Sequence, residues 1–291
     1  MGTANAQVAM QKKGDGILVT ENGKNVLFFQ AEPKNKDGKY ERCNYIHPLW
    51  GLDGTVLTED FPADHLHHRG IFWVWHQVWI GDKRIGDPWE IRDFDQDVVK
   101  LEFLKQCTGA VQLKTEVEWL STEWKKNGKK IPYLKENAVL TIHPQKENYR
   151  RIDFEISLLA LAENLKIGGS EDVKGYSGFS IRMKLPEDIL FEGKNGVVEP
   201  ILTAVESPGY INISGSILEG NKWGGIVIVD HADNPDYPQK WILRARNSMQ
   251  NAAWPGRKAV PISTTEPLVL KYSLIIYSEK LDNEKIQEIL K

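Results

Sequence analysis

The chain has 291 residues, 37 basic and 40 acidic side chains, and a formal net charge of −3. Hydrophobic residues at 41% and charged residues at 26% exclude bulk disorder, and the near-even charge balance argues against a nucleic-acid partner, which needs a basic surface to displace counterions. No run approaches the roughly 18 apolar residues of a membrane-spanning helix, and two cysteines, Cys43 and Cys107, cannot build a disulfide framework or a Cys-rich zinc site.

The length allows one large all-β domain or two smaller ones. A core of that size needs no covalent staple, so buried thiols are expected rather than a bridge. At the start, Ala4-Asn5-Ala6 fits the small-x-small rule before a signal-peptidase cut. That reading places the mature chain near Gln7 in the periplasm or outside the cell. An ordinary terminus of a cytoplasmic protein is the alternative. Residues 1–24 are expected to form an N-terminal segment, partly disordered, and residues 25–291 one β-sandwich domain.

The punctuation is that of a β protein. Asp15-Gly16, Asn22-Gly23, Asp37-Gly38, Asp53-Gly54, Asn127-Gly128 and Asn195-Gly196 accept positive φ and favour tight hairpins. Between them, in chain order, β-branched and aromatic runs predict strands over 26–30, 71–80, 98–104, 110–119, 138–143, 151–161, 178–185, 225–230, 240–246 and 268–278. Thr115 to Leu120 alternates, with Glu116 and Glu118 outward. Helical spacing is confined to Asp282–Leu290, where Asp282 caps the first turn. No repeat, linker or low-complexity tract interrupts the pattern. The expected fold is a large antiparallel β-sandwich with a short C-terminal helix.

The densest chemical signal is Asp64-His65-Leu66-His67-His68-Arg69-Gly70, followed by the strand that carries Trp73, Trp75 and His76. If the segment is extended, His65, His67 and Arg69 share one face, and His68, Phe72, Val74 and His76 the other. Three readings compete. His65 and His67 are a metal-ligand pair of the kind that holds a divalent ion. Alternatively, the histidines do acid–base work beside an anion-stabilising arginine. In the third reading they only hold a loop by hydrogen bonds. The cupin pattern fails, because Ile71 and Phe72 stand where a glutamate is needed; Glu90 or His231 would have to serve from a distance.

Further along, Tyr176, Gly178, Ser180 and Arg182 alternate on one strand face. Asp230-His231 runs into a turn at Asp233-Asn234-Pro235, followed by Pro238, Trp241 and Arg244. Asn251, Trp254 and Arg257 form a last polar–aromatic group. Ten tryptophans are an excess, and five fall between Trp50 and Trp89. Trp73, Trp75 and Trp79 read either as core or as a surface that stacks on sugar rings. No Gly-x-Gly-x-x-Gly unit, phosphate loop or Gly-x-Ser-x-Gly elbow occurs, so no nucleotide cofactor is expected.

His47-Pro48-Leu49 with Gly51 and Asp53-Gly54, Asp60-Phe61-Pro62, and Asp64-His65 through Gly70 together resemble the start of the bacterial PmoA-like family. Tyr176-x-Gly178 with Arg182, and Asp230-His231 with Asn234-Pro235, Pro238, Trp241 and Arg244, look like its later blocks. The resemblance spans about residues 25 to 278. That family is named after a membrane-embedded methane oxygenase subunit, but the absence of a spanning run here keeps the name from being an activity. The resemblance implies a β-sandwich similar to the supersandwich of galactose mutarotase, and an association with carbohydrate metabolism.

The expected function is a carbohydrate-active enzyme of mutarotase, lyase or hydrolase type. His68, His76, His231, Arg69 and Arg182 are the expected catalytic set. Trp73, Trp75, Trp241, Arg244 and Asn251 would bind the sugar. A non-catalytic carbohydrate-binding protein and a metal-dependent oxygenase are the alternatives, and the sequence leaves the oligomeric state open.

Overall fold

A computed structural model describes residues 7–106, 108–246 and 249–290. Ala4-Asn5-Ala6 and Cys107 lie outside the described residues. Two nine-stranded antiparallel sheets form the body. The first runs, in spatial order, through strands Val8–Lys13, Gly16–Glu21, Lys24–Gln30, Tyr45–Leu49, Ile71–Trp75, Ser177–Arg182, Met249–Ala252, Lys240–Ile242 and Val205–Glu206. The second runs through Asp95–Lys105, Val111–Leu120, Leu134–Ile142, Tyr149–Ala160, Leu268–Ser278, Lys222–Asp230, Tyr210–Leu218, Leu190–Gly193 and Gly196–Val197. This is the antiparallel β-sandwich that the strand pattern predicts.

The hairpin signals do their work locally. Asn22-Gly23, Asp37-Gly38 and Asn127-Gly128 all take positive φ at both residues, each joining two paired strands. Alternation sets the inside face. Along Tyr149–Ala160, Ile152, Phe154, Ile156 and Leu158 are buried, while Asp153 and Glu155 point outward. The helix Asn283–Ile289 begins where expected, with the Asp282 side chain accepting from the Lys285 N–H at 2.8 Å. Its Ile286 packs with Tyr210, Val229, Ile275 and Tyr277, covering part of the outer face of the second sheet.

Two expectations change. The N-terminal segment carries two sheet strands, Val8–Lys13 and Gly16–Glu21, because Ile17, Leu18 and Val19 bury against the core. The segment 71–80 is two strands rather than one. Ile71–Trp75 belongs to the first sheet, whereas Gln77–Ile80 pairs with Leu165–Gly168 in a separate four-stranded sheet. His76 sits at the bend between them.

The core between the sheets is aromatic. Trp73 meets Phe154, Trp75 meets Trp119, and Phe179 stacks on Tyr272, each pair spanning the two sheets. One carboxyl is buried there. Glu136 accepts from Asn44 Nδ2 at 2.8 Å, Trp73 Nε1 at 2.7 Å and Trp119 Nε1 at 2.9 Å. Burial raises its pKa to about 7 against the pull of those three donors.

Candidate functional site

The segment from Pro62 to Arg69 is not extended. His65 N–H donates to Pro62 O at 3.0 Å and His68 N–H to His65 O at 2.9 Å, so two consecutive turns replace the strand. The turns gather all three rings instead of splitting them between faces. The His65 and His68 rings stack at 4.6 Å, and His67 meets His68 edge-on at 4.5 Å. Gly70 ends the segment where any side chain would strike Ile46 O, with a Cβ only 2.1 Å away.

Arg182, on strand Ser177–Arg182, reaches under the turns. It donates to Glu59 at 2.8 Å and to Asp64 at 2.7 Å, and its Nη1 lies 3.2 Å from His68 Nδ1. A guanidinium only donates. His68 Nδ1 must therefore accept, and the ring proton sits on Nε2. Burial, then the neighbouring His67, His65 and Arg182, push the His68 pKa far down, so the ring stays neutral. Burial and Arg42 lower His67 to about 3 in the same way. Its Nδ1 is 3.7 Å from Glu90.

Trp89 joins this cluster to His76. The His76 ring stacks on Trp89 at 5.2 Å, and Phe72, His68 and Tyr176 surround the same indole at 5.4, 6.2 and 5.5 Å. Asp87 lies 3.2 Å from His76 Nδ1 and also accepts from Arg84, Arg92 and the Glu90 N–H. Burial alone would raise Asp87, but the bond from His76 and these other partners hold it below the usual carboxylate range. A charged Asp87 makes Nδ1 the protonated nitrogen of His76, and Nε2 carries the lone pair. Among the described residues Nε2 has no partner. A carboxylate-oriented imidazole with a free nitrogen is the arrangement a general base needs.

Several expected roles fall away. Trp73, Trp75 and Trp241 are buried, with their N–H groups given to Glu136, Trp254 O and Ser207 O. They are core and cannot stack on a ligand. Arg69 is also buried; it donates to Leu66 O, His68 O and Tyr40 O and lies 3.6 Å over the Phe61 ring. It staples the turns from below and is no catalytic group. Asn251 is buried and donates to Ser180, to which it pairs across the sheet. Arg244 holds the Tyr176 hydroxyl at 2.9 Å and so borders the Trp89 cluster. His65 and His67, the expected metal-ligand pair, meet edge-on with ring centroids 5.7 Å apart, and His65 Nδ1 is taken up by Asp64 at 2.8 Å. Among the described residues no three His, Cys, Asp or Glu side chains are grouped to hold a metal.

His231 is not part of this cluster. It lies at the end of strand Lys222–Asp230, on the second sheet, with Nε2 2.9 Å from Ser273 Oγ. Ser273 donates to Asp153 at 2.6 Å, and Asp153 also accepts from His143 at 2.7 Å and Arg151 at 2.6 Å. The sequence missed Asp87 and Trp89. Their signal was the compact Asp87-Pro88-Trp89-Glu90, a turn that carries two acids around one large ring.

Fold and site define a class: an antiparallel β-sandwich with an imidazole–carboxylate site beside one end of its first sheet. The chain belongs to the family of unknown function DUF6807, whose family model matches residues 16–291. No curated protein matches the sequence. Among the described residues, no helix is long and apolar enough to cross a membrane.

Proposed function

We propose that the protein is a carbohydrate-active enzyme in which His76 moves the proton. The observation that carries this reading is the Asp87–His76 pair packed on Trp89, with the His76 Nε2 lone pair unengaged among the described residues. Glu90 is half-buried next to His67 and serves as the second proton-transfer group. His68, fixed with its proton on Nε2, donates a hydrogen bond to a sugar oxygen or a developing oxyanion. The resemblance to PmoA-like proteins supports a sugar as the ligand class. Mutarotation, elimination and hydrolysis all need this one set of proton-transfer roles.

The test is incubation with a panel of monosaccharides and oligosaccharides, followed by proton NMR for anomer exchange or new products. Exchange or turnover that His76→Gln removes, with an unchanged melting temperature, supports the reading. A panel on which native protein and variant are equally inert sinks it. That result would leave a carbohydrate-binding protein without catalysis, a reading favoured by one observation: a cleft of 680 Å³ is lined by none of the histidines.

A further inference from the structure

We propose that this 680 Å³ cleft binds the acidic part of a carboxylated saccharide whose other end reaches the His76 site. The inference rests on the carbohydrate reading above and goes beyond it to the substrate class. Lys174, Lys240, Arg257 and Lys258 line the cleft, with Asp236 as its one acid. Four cations against one anion stand out in a chain of net charge −3.

The pairing of these groups matters more than their number. The Asp236 carboxylate is already engaged, accepting from Trp254 Nε1 at 3.0 Å. Lys174 and Lys240 have partners, Asp172 at 3.4 Å and Glu206 at 3.1 Å. Arg257 does not. It donates to the carbonyl of Glu171, from Nε at 3.2 Å and Nη2 at 3.1 Å, which fixes the side chain without cancelling its charge. Lys258, beside it, has no ion-pair partner among the described residues. An arginine anchored by a carbonyl and a free neighbouring lysine suit a carboxylate that arrives with a ligand.

The wall beside Arg257 is closely packed. At Gly175, φ is +74°, and a side chain there would press on the Arg257 side chain, with Cβ 3.2 Å from Cγ. Gly175 leads directly to Tyr176, whose ring lies 5.5 Å from Trp89 and whose hydroxyl is held by Arg244. Arg244 in turn donates to Ile201 O and Leu202 O, just before the cleft residues Thr203 and Ala204. Tyr176 does not line the cleft itself; it links Gly175, on the cleft's wall, to Trp89 beside His76.

Titration calorimetry with tetragalacturonate, maltotetraose and inorganic phosphate tests this. Tetragalacturonate is expected to bind at least about tenfold more tightly than maltotetraose and to weaken as salt is added. The double variant Arg257→Glu, Lys258→Glu, both exposed positions, is expected to keep its melting temperature and to lose about tenfold in affinity for the acid alone. Equal binding of the acidic and neutral tetramers overturns the proposal, as does a variant that binds like the native protein. Displacement of tetragalacturonate by an equal concentration of phosphate also overturns it, since the cleft would then read a bare anion. Failure of the enzyme reading looks different: the acid binds and responds to the double variant, and no sugar turns over.

Discussion

Two histidine-bearing regions carry the same elementary pair, an imidazole against an aspartate, yet they differ in chemical capacity. In the Trp89 region Asp87 accepts a hydrogen bond from His76 Nδ1, and the far nitrogen has no partner among the described residues. On the second sheet, His231, Ser273, Asp153 and His143 form a chain that looks like a hydrolase triad but is not one. Ser273 has a single proton, and a charged Asp153 at 2.6 Å must receive it. His231 then donates to Ser273 and cannot deprotonate it. The direction of each proton, more than the residue types, separates a reactive arrangement from a structural one.

The sharpest way to break that contrast is by activity. His76→Gln is expected to lower turnover by about 10²- to 10⁴-fold, and His231→Gln to leave it within a factor of two, as followed by NMR on the responsive sugar. Equal losses would merge the two regions into one site. The next largest effect is on pH dependence. His67 falls to about 3 in the folded state, so between that value and its ordinary 6.5 the unfolded chain binds a proton that the folded chain refuses. Its stability contribution is complete above pH 6.5 and is lost on acidification, by about 1.4 kcal/mol per pH unit. The difference between native protein and His67→Gln in urea unfolding should show that slope. Asp153, held at about 2 against burial by His143, Ser273 and Arg151, gives the same sign in a lower window, between its ordinary 3.8 and 2. Asp153→Asn should remove only that one.

Smaller effects sharpen the same comparison. Arg182→Met unpairs Glu59, Asp64 and His68 beneath the turns and is expected to cost about 3 kcal/mol. Arg151→Met, in the half-exposed network of the second sheet, should cost about 1 kcal/mol. His65→Ala should be least, below about 0.5 kcal/mol by thermal unfolding, because that ring is 45% exposed. A large loss there would mean that the stacked pair with His68 holds the turns together.

The fold was legible where the signal is local. The turns at Asn22-Gly23, Asp37-Gly38 and Asn127-Gly128, the alternation in 115–120 and the Asp282 cap are decided within a few residues and stand as read, whereas at Asp15-Gly16 the positive φ falls on Gly14 instead. The site was legible only in part. His68, His76, Arg182 and Arg244 do border it, but their roles depend on partners distant in sequence: His68 waits on Arg182, 114 residues away. The tryptophans misled, because a strand pattern shows which side chains share a face and not which face meets the other sheet. Trp73 and Trp75 face inward. Reading 65–69 as extended failed for a simpler reason. The backbone bonds to Pro62 and His65 carbonyls close turns that no apolar alternation announces.

Glu136 gives the molecule an optical reporter of its own. Two indoles, Trp73 from one sheet and Trp119 from the other, donate to opposite oxygens of this single carboxyl. Gaining a proton there removes a full negative charge from between two fluorophores. Emission from the folded protein should therefore titrate with a midpoint near 7, and the signal should vanish in Glu136→Gln or when the sheets separate. Sheet docking, ordinarily silent to light, can thus be watched without a label.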